Sequence, residues 1–237
     1  MKFKNIKNLA TNFFPDLIRQ SKLYGFYSKI DLLFHDLVMS ETEQDFFKIA
    51  QEVHKVNNEE VIKEYYPNAL RELNNLVALG EAIILNPKDY AIMLDKELNK
   101  ISEEIAKIKS LEEQNELRKL LVFNSFNCAC VSIFATLTDL NESEKEVQYN
   151  IQQSRLNIVI QNDIKKENEA NYWYSLHWFI RGNKNNASFY LKKMINQKSK
   201  LAILTEEDNM LWIKNKLPKE FLEFVQTEYQ NIAKRNK

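Results

Sequence analysis

Three glycines and four prolines are spread over 237 residues, and this scarcity of turn-forming residues limits the chain more than any other feature. Tight hairpins and barrel corners draw on Gly at positive φ, so an all-β sandwich or barrel needs a far richer supply. Phosphate-cradling loops need closely spaced glycines as well, and Gly25, Gly80 and Gly182 are too far apart to build one. Helices are the remaining option. With 44% hydrophobic and 28% charged residues the chain has the composition of a folded globular protein rather than a disordered one.

Helix-start signals divide the chain at regular intervals. Ser40 with Glu43 reads as a capping box opening a helix to about Lys55, closed by Asn57 and Asn58. Pro67 suits the first turn of a helix to about Leu85, with Leu70, Leu73, Leu76, Val77 and Ile83 on one face and Gly80 as a tolerated defect. Ile92, Leu94, Leu98, Ile101, Ile105 and Ile108 mark an amphipathic helix over 88–109. Ser110 with Glu113 starts a long helix to about Thr138, and Leu120, Leu121, Phe123, Phe126, Ala129, Val131, Phe134 and Leu137 make its second half apolar nearly all round, as a central core helix would be. Asn141 with Glu144 caps the next, running through Val147, Ile151, Leu156 and Ile160 to the break at Asn162 and Asp163.

Shorter helices are expected over about 167–181 and 185–197, one from Thr205 and a last from Pro218 to about Ala233; the segment before Ser40 also has a helical pattern, with Pro15 at a helix start. The expectation is an all-α fold of about ten helices. No Gly/Ser-rich or Pro-rich linker interrupts it, so 1–237 reads as one helical domain with a soft boundary near 86–110. The N-terminus lacks an uninterrupted apolar stretch, and the most apolar run, near Leu120 to Leu137, is broken by Asn124, Ser125 and Asn127. Neither a secretory signal nor a membrane span is expected. Cys128 and Cys130 project to different sides of a helix and suit a reduced, cytoplasmic setting as buried apolar thiols.

Metal and enzyme signatures are missing from the residue pattern. His35, His54 and His177 form no His-Glu-x-x-His pair, and Leu32, Gln51 and Tyr174 stand where a di-iron bundle would need glutamates. No histidine follows an arginine at the spacing of helical HEPN-type ribonucleases. No phosphate loop, Gly-x-Ser-x-Gly elbow or calcium loop is present. The expectation is a non-enzyme with no catalytic residue, metal or cofactor.

The most distinctive stretch is Asn171 to Gln197, an aromatic helix, a stop at Gly182 among asparagines, and a second helix led by Ala187. Tyr174, Ser175, Trp178, Gly182, Ala187, Leu191 and Met194 follow the large, small, large, Gly, Ala, large rhythm of a tetratricopeptide-like hairpin, with Met194 where a small residue is usual. Tyr172, Trp173, Trp178, Phe179, Phe189 and Tyr190 read as core and helix-packing residues.

Charge is balanced over the whole chain, 33 basic against 33 acidic residues, so no global basic excess points to direct nucleic-acid binding. Locally it is not. Arg181, Lys184, Lys192, Lys193, Lys198 and Lys200 form a basic strip with no acid among them, whereas Glu41 to Glu64 holds seven acids against three lysines. Two electrostatic surfaces that steer a partner are one reading of this asymmetry.

Trp173, Leu176 and Trp178, then Ala187, Leu191 and Met194, then Leu201-Ala202-Ile203-Leu204, Asp208 and Trp212 resemble the C-terminal part of the immunity protein 49 family, over roughly Leu120 to Leu217. That resemblance implies a cytoplasmic helical protein that neutralises a cognate bacterial toxin by stoichiometric binding, its partner being a toxin domain. An inhibitor of a nucleic-acid-directed toxin would present carboxylates to a phosphate-binding surface. Glu59, Glu60 and Glu64 are the candidate residues for that face, with Lys192 and Lys193 on the secondary one. The alternative is a tetratricopeptide-like scaffold or regulator holding peptide segments of a protein partner; a third is an enzyme whose helical active site carries no recognised motif.

Overall fold

The structure is a computed structural model that describes residues 29–37, 39–162, 167–196 and 215–235. The described residues are all-α and contain no strand. A helical stretch over 29–37 is followed by α1 (Glu43–Val56), α2 (Glu60–Tyr65), α3 (Pro67–Leu85), α4 (Pro87–Lys107), α5 (Leu111–Thr136), α6 (Glu142–Asn162), α7 (Glu167–Ile180), α8 (Lys184–Asn196) and α9 (Lys219–Arg235). Chain contacts divide these elements into two compact units, one ending at Gly80 and the other beginning at Glu81. The helix expected from Thr205 lies outside the described residues, as does the segment containing Pro15 and Gly25.

In the first unit, the cap of α1 lies two residues after the expected one. Thr42 is the cap: its hydroxyl accepts the Asp45 amide at 3.1 Å, while the Ser40 hydroxyl is buried and donates to the Leu37 carbonyl at 2.7 Å. Burial spends the Ser40 oxygen on the preceding helix, leaving Thr42 free to satisfy an orphan donor. Phe46, Ala50, Val53 and Val56 form the buried face of α1, and Leu70, Leu73 and Val77 that of α3. Gly80 is no mere tolerated defect. A Cβ there would overlap the Phe46 ring, so the absence of a side chain is what lets the aromatic ring lie against α3. Asn57 and Asn74 tie the same two helices by a reciprocal amide pair, at 2.7 and 2.9 Å.

In the second unit, α5 packs against both α4 and α6, α6 against α7, and α7 against α8, with α9 on α8. Leu98, Ile105, Leu121, Cys128 and Ile151 form a buried cluster joining α4, α5 and α6. All residues from Cys128 to Thr136 are buried, as a central helix requires, whereas Leu120 and Phe123, expected inside, are exposed. By length and mean hydropathy α5 could cross a membrane, contrary to the expectation from sequence. Yet 67% of its most apolar stretch is buried among the other helices, the pattern of a core element.

Candidate functional site

The predicted hairpin is built by α7, a three-residue turn and α8. Gly182 takes φ +75°, a conformation open to glycine at little steric cost, and its amide donates to the Phe179 carbonyl while the Asn183 amide reaches back to Trp178, both at 2.9 Å. Asn183 then caps α8 at once by accepting the Asn186 amide at 3.0 Å. Ala187 is fully buried at the crossing, where the Ser175 hydroxyl donates to its carbonyl at 2.8 Å, so small residues bring the two helices together as their spacing implies. Tyr174 stacks on Tyr190, with centroids 4.6 Å apart and planes at 10°. Tyr172, Phe179, Phe221 and Phe224 interlock α7 with α9 through ring contacts of 5.3 to 6.3 Å.

Phe189 departs from the expected packing role: it is 53% exposed on the outer side of α8. The Lys193 ammonium lies 4.8 Å from its centroid and 5.7 Å from that of Tyr190, forming a compact cation–aromatic group at the surface. Lys192, by contrast, turns to α9. It pairs with Glu228 at 3.4 Å, and the same carboxylate accepts the Ser188 hydroxyl at 2.7 Å. The two neighbouring lysines are thus a structural tie and a surface cation. Arg181 at the turn lies over Tyr149 and Trp178 and pairs with Glu146 at 3.5 Å; Lys198 and Lys200 lie outside the described residues.

The acidic stretch is largely paired within the first unit. Glu59 is 31% exposed and held by Lys29 at 3.0 Å, Asp45 pairs with Lys48, and Glu52 with Lys55. Glu64 is exposed, while the side chain of Glu60 lies outside the described part. The three candidate acids are near one another along the chain, but Glu59 is already neutralised by a partner.

The other polar constellation was not legible in the sequence. Gln148, Gln152 and Arg155 are buried on α6, on a face whose neighbour Val147 points to solvent. Arg155 is 1% exposed. Its Nε donates to Asp95 at 2.7 Å, and its Nη2 to the Asp95 carbonyl at 2.8 Å and Asn99 at 2.7 Å. Next to it runs a chain of bonds across α4 to α7. Gln148 donates to the Lys88 carbonyl, Ser132 donates to Gln148, Gln152 donates to the Ser132 carbonyl, and His177 Nδ1 lies 2.6 Å from Gln152 Oε1.

That chain fixes the imidazole. Gln152 spends its NH2 on Ser132, so the oxygen faces His177 and Nδ1 must carry the proton. Among the described residues His177 Nε2 is buried without a partner, as are the Asn171 amide atoms, the Tyr172 hydroxyl and Trp178 Nε1. Burial, aided by the Arg181 cation, holds the imidazole down at about 4, so it is neutral near pH 7. Burial also pushes the Cys128 thiol up to about 12, an inert thiol donating weakly to the Ala91 carbonyl. Among the described residues no group of three His, Cys, Asp or Glu side chains could hold a metal ion.

Two open concavities lie among the described residues: one of about 400 Å³ at the turn beside Arg181, Gly182 and Lys184, and one of about 520 Å³ along α4 past Ile92, Met93, Lys96 and Asn99. Leu201-Ala202-Ile203-Leu204, Asp208 and Trp212, which contribute to the family resemblance, lie outside the described residues. No known protein family, curated protein or solved structure matches the chain.

Proposed function

We propose that this chain is a binding protein that neutralises a cognate bacterial toxin by stoichiometric association, with the outer face of α8 as its principal contact surface. The observation that carries the reading is the exposed Phe189 ring with the Lys193 cation over it. An aromatic side chain needs no solvent exposure to serve a fold, whereas aromatic residues are enriched in protein interfaces, and the Lys193 ammonium over the Phe189 ring holds a cation beside that contact. Behind it, Tyr190 stacked on Tyr174 gives the anchor a stiff backing, so little ordering entropy is lost on binding. This reading shifts the first contact from the acidic stretch to α8. Glu59 already has Lys29 beside it, and that cation cancels part of the field the carboxylate could offer a new partner.

In this mechanism the chain contributes surface and shape, and charge sets the rate of encounter. Glu64 remains a steering residue, and Lys193 both packs on Phe189 and offers a cation to an acidic rim. The test is expression of the adjacent reading frame with and without this chain. Growth arrest by the neighbour alone, relieved by the wild-type chain and not by a folded Phe189→Ala/Lys193→Glu variant, supports the proposal. Full protection by that variant places the contact elsewhere.

A scaffold reading draws on a different observation, the close α7–α8 crossing at Ala187 and Ser175, which is the packing device of stacked helical hairpins. It expects binding of extended peptide segments and no effect on the growth of cells carrying the neighbouring frame.

A further inference from the structure

We infer that His177 is an acid-sensitive latch between α6 and α7: the seam stays closed while the imidazole is neutral, and proton uptake at Nε2 opens it. The geometry leaves no other economical site for the proton. Nδ1 already carries one, committed to Gln152, and Nε2 is enclosed with no partner among the described residues. A bare ring nitrogen is tolerable as a lone pair, but as an N–H bearing positive charge it requires an acceptor.

The described groups around it are spent or of the wrong kind. Arg181, in the turn after α7, is a cation; on α7, Trp178 brings only an N–H and the Tyr174 hydroxyl is engaged with the Gln153 carbonyl and Asn157. On α6, Tyr149 is an edge-on ring neighbour of the imidazole at 5.7 Å, as Trp178 of α7 is at 5.0 Å; Lys145 lies towards Tyr149, Glu146 is engaged with Arg181, and Arg155 with Asp95 of α4. On α5, the Ser132 and Thr136 hydroxyls donate to Gln148 and the Ile133 carbonyl. Lys88 of α4 is paired with Glu144, and Tyr190 of α8 faces Tyr174. A cation at His177 would therefore sit against the Arg181 guanidinium with no free acceptor among these groups. Opening the seam gives it water.

The experiment is amide hydrogen exchange of the full chain from pH 8 to pH 4, corrected for intrinsic rates, alongside His177→Asn. Asn keeps a donor near the Nδ1 position and cannot titrate. In the wild type, the opening constant of α6 and α7 amides should rise by up to about tenfold per pH unit below the ordinary histidine range; in His177→Asn this component should vanish. An identical rise in the variant overturns the latch. If the variant does not fold, nitrogen chemical shifts of the wild-type imidazole decide. A ring that stays Nδ1-protonated until exchange accelerates supports the latch, and one that takes its second proton with the seam still protected contradicts it.

Discussion

Arg155 illustrates what a single buried charge demands of its surroundings. At 1% exposure its guanidinium has lost its hydration, and Asp95 with Asn99 replaces the water with three short bonds from α4. Asp95→Ala should cost about 3 to 5 kcal/mol, because it leaves that charge uncompensated, while Asp95→Ala combined with Arg155→Met should cost less than the single change. Urea unfolding of both variants checks this; a double variant worse than the single would show that the cost of Asp95→Ala does not come from an uncompensated Arg155 charge. Gly80 makes the opposite demand, for empty space. In an ordinary helix Gly→Ala gains about 1 kcal/mol, but here the added methyl meets the Phe46 ring, so Gly80→Ala should lose about 1 to 3 kcal/mol and regain part of it in a Phe46→Leu background. For His177 the sign follows from a folded value near 4 below an ordinary value of 6.5: the unfolded chain takes up the proton first, so stability is retained above the ordinary value and falls as pH drops towards 4. The loss is of order 3 kcal/mol when that window has been crossed.

At the scale of elements, helix ends carry much of the order. Asn141 and Glu144 exchange backbone-to-side-chain bonds at 3.0 Å in each direction, a complete capping box at the start of α6, and Lys88 reaches the same carboxylate from α4. The Asn141 amide, then Lys88, holds the Glu144 carboxyl below its usual range, so this contribution is present near neutrality and is lost as pH falls through the lowered value. Asn141→Ala should cost about 1 kcal/mol by thermal unfolding. This cap was legible in the sequence because both its members are local. The cap of α1 was legible only to within two residues: Ser40 and Thr42 have the same chemistry, and burial of Ser40 against Leu37 decided between them. The polar face of α6 was not legible at all. Gln148, Gln152 and Arg155 have the residue types of a solvated face, and only the packing of α4, α5 and α7 around them makes them interior. Phe189 was read as core for the converse reason, since helical spacing alone does not say which aromatic is left uncovered.

For the molecule as a whole, the all-α architecture follows from residue supply, and α5 is the element on which the second unit is assembled. Phe134 is buried there and meets Trp173 of α7 edge-on at 5.9 Å, so Phe134→Ala should cost about 3 to 5 kcal/mol, and the partly exposed Phe126 less. The proposed function turns on stoichiometry, since a protein that neutralises by occupying a surface is consumed mole for mole. The most direct test is a titration of the purified product of the adjacent reading frame with this chain, following residual toxic activity against molar ratio. Stoichiometric neutralisation gives a linear fall to an endpoint at a fixed ratio, independent of incubation time and of chelator, with the endpoint lost in the Phe189→Ala/Lys193→Glu variant at working concentrations. Progressive inactivation by substoichiometric amounts of the wild-type chain, growing with time, would contradict it and make the chain an enzyme acting on its neighbour.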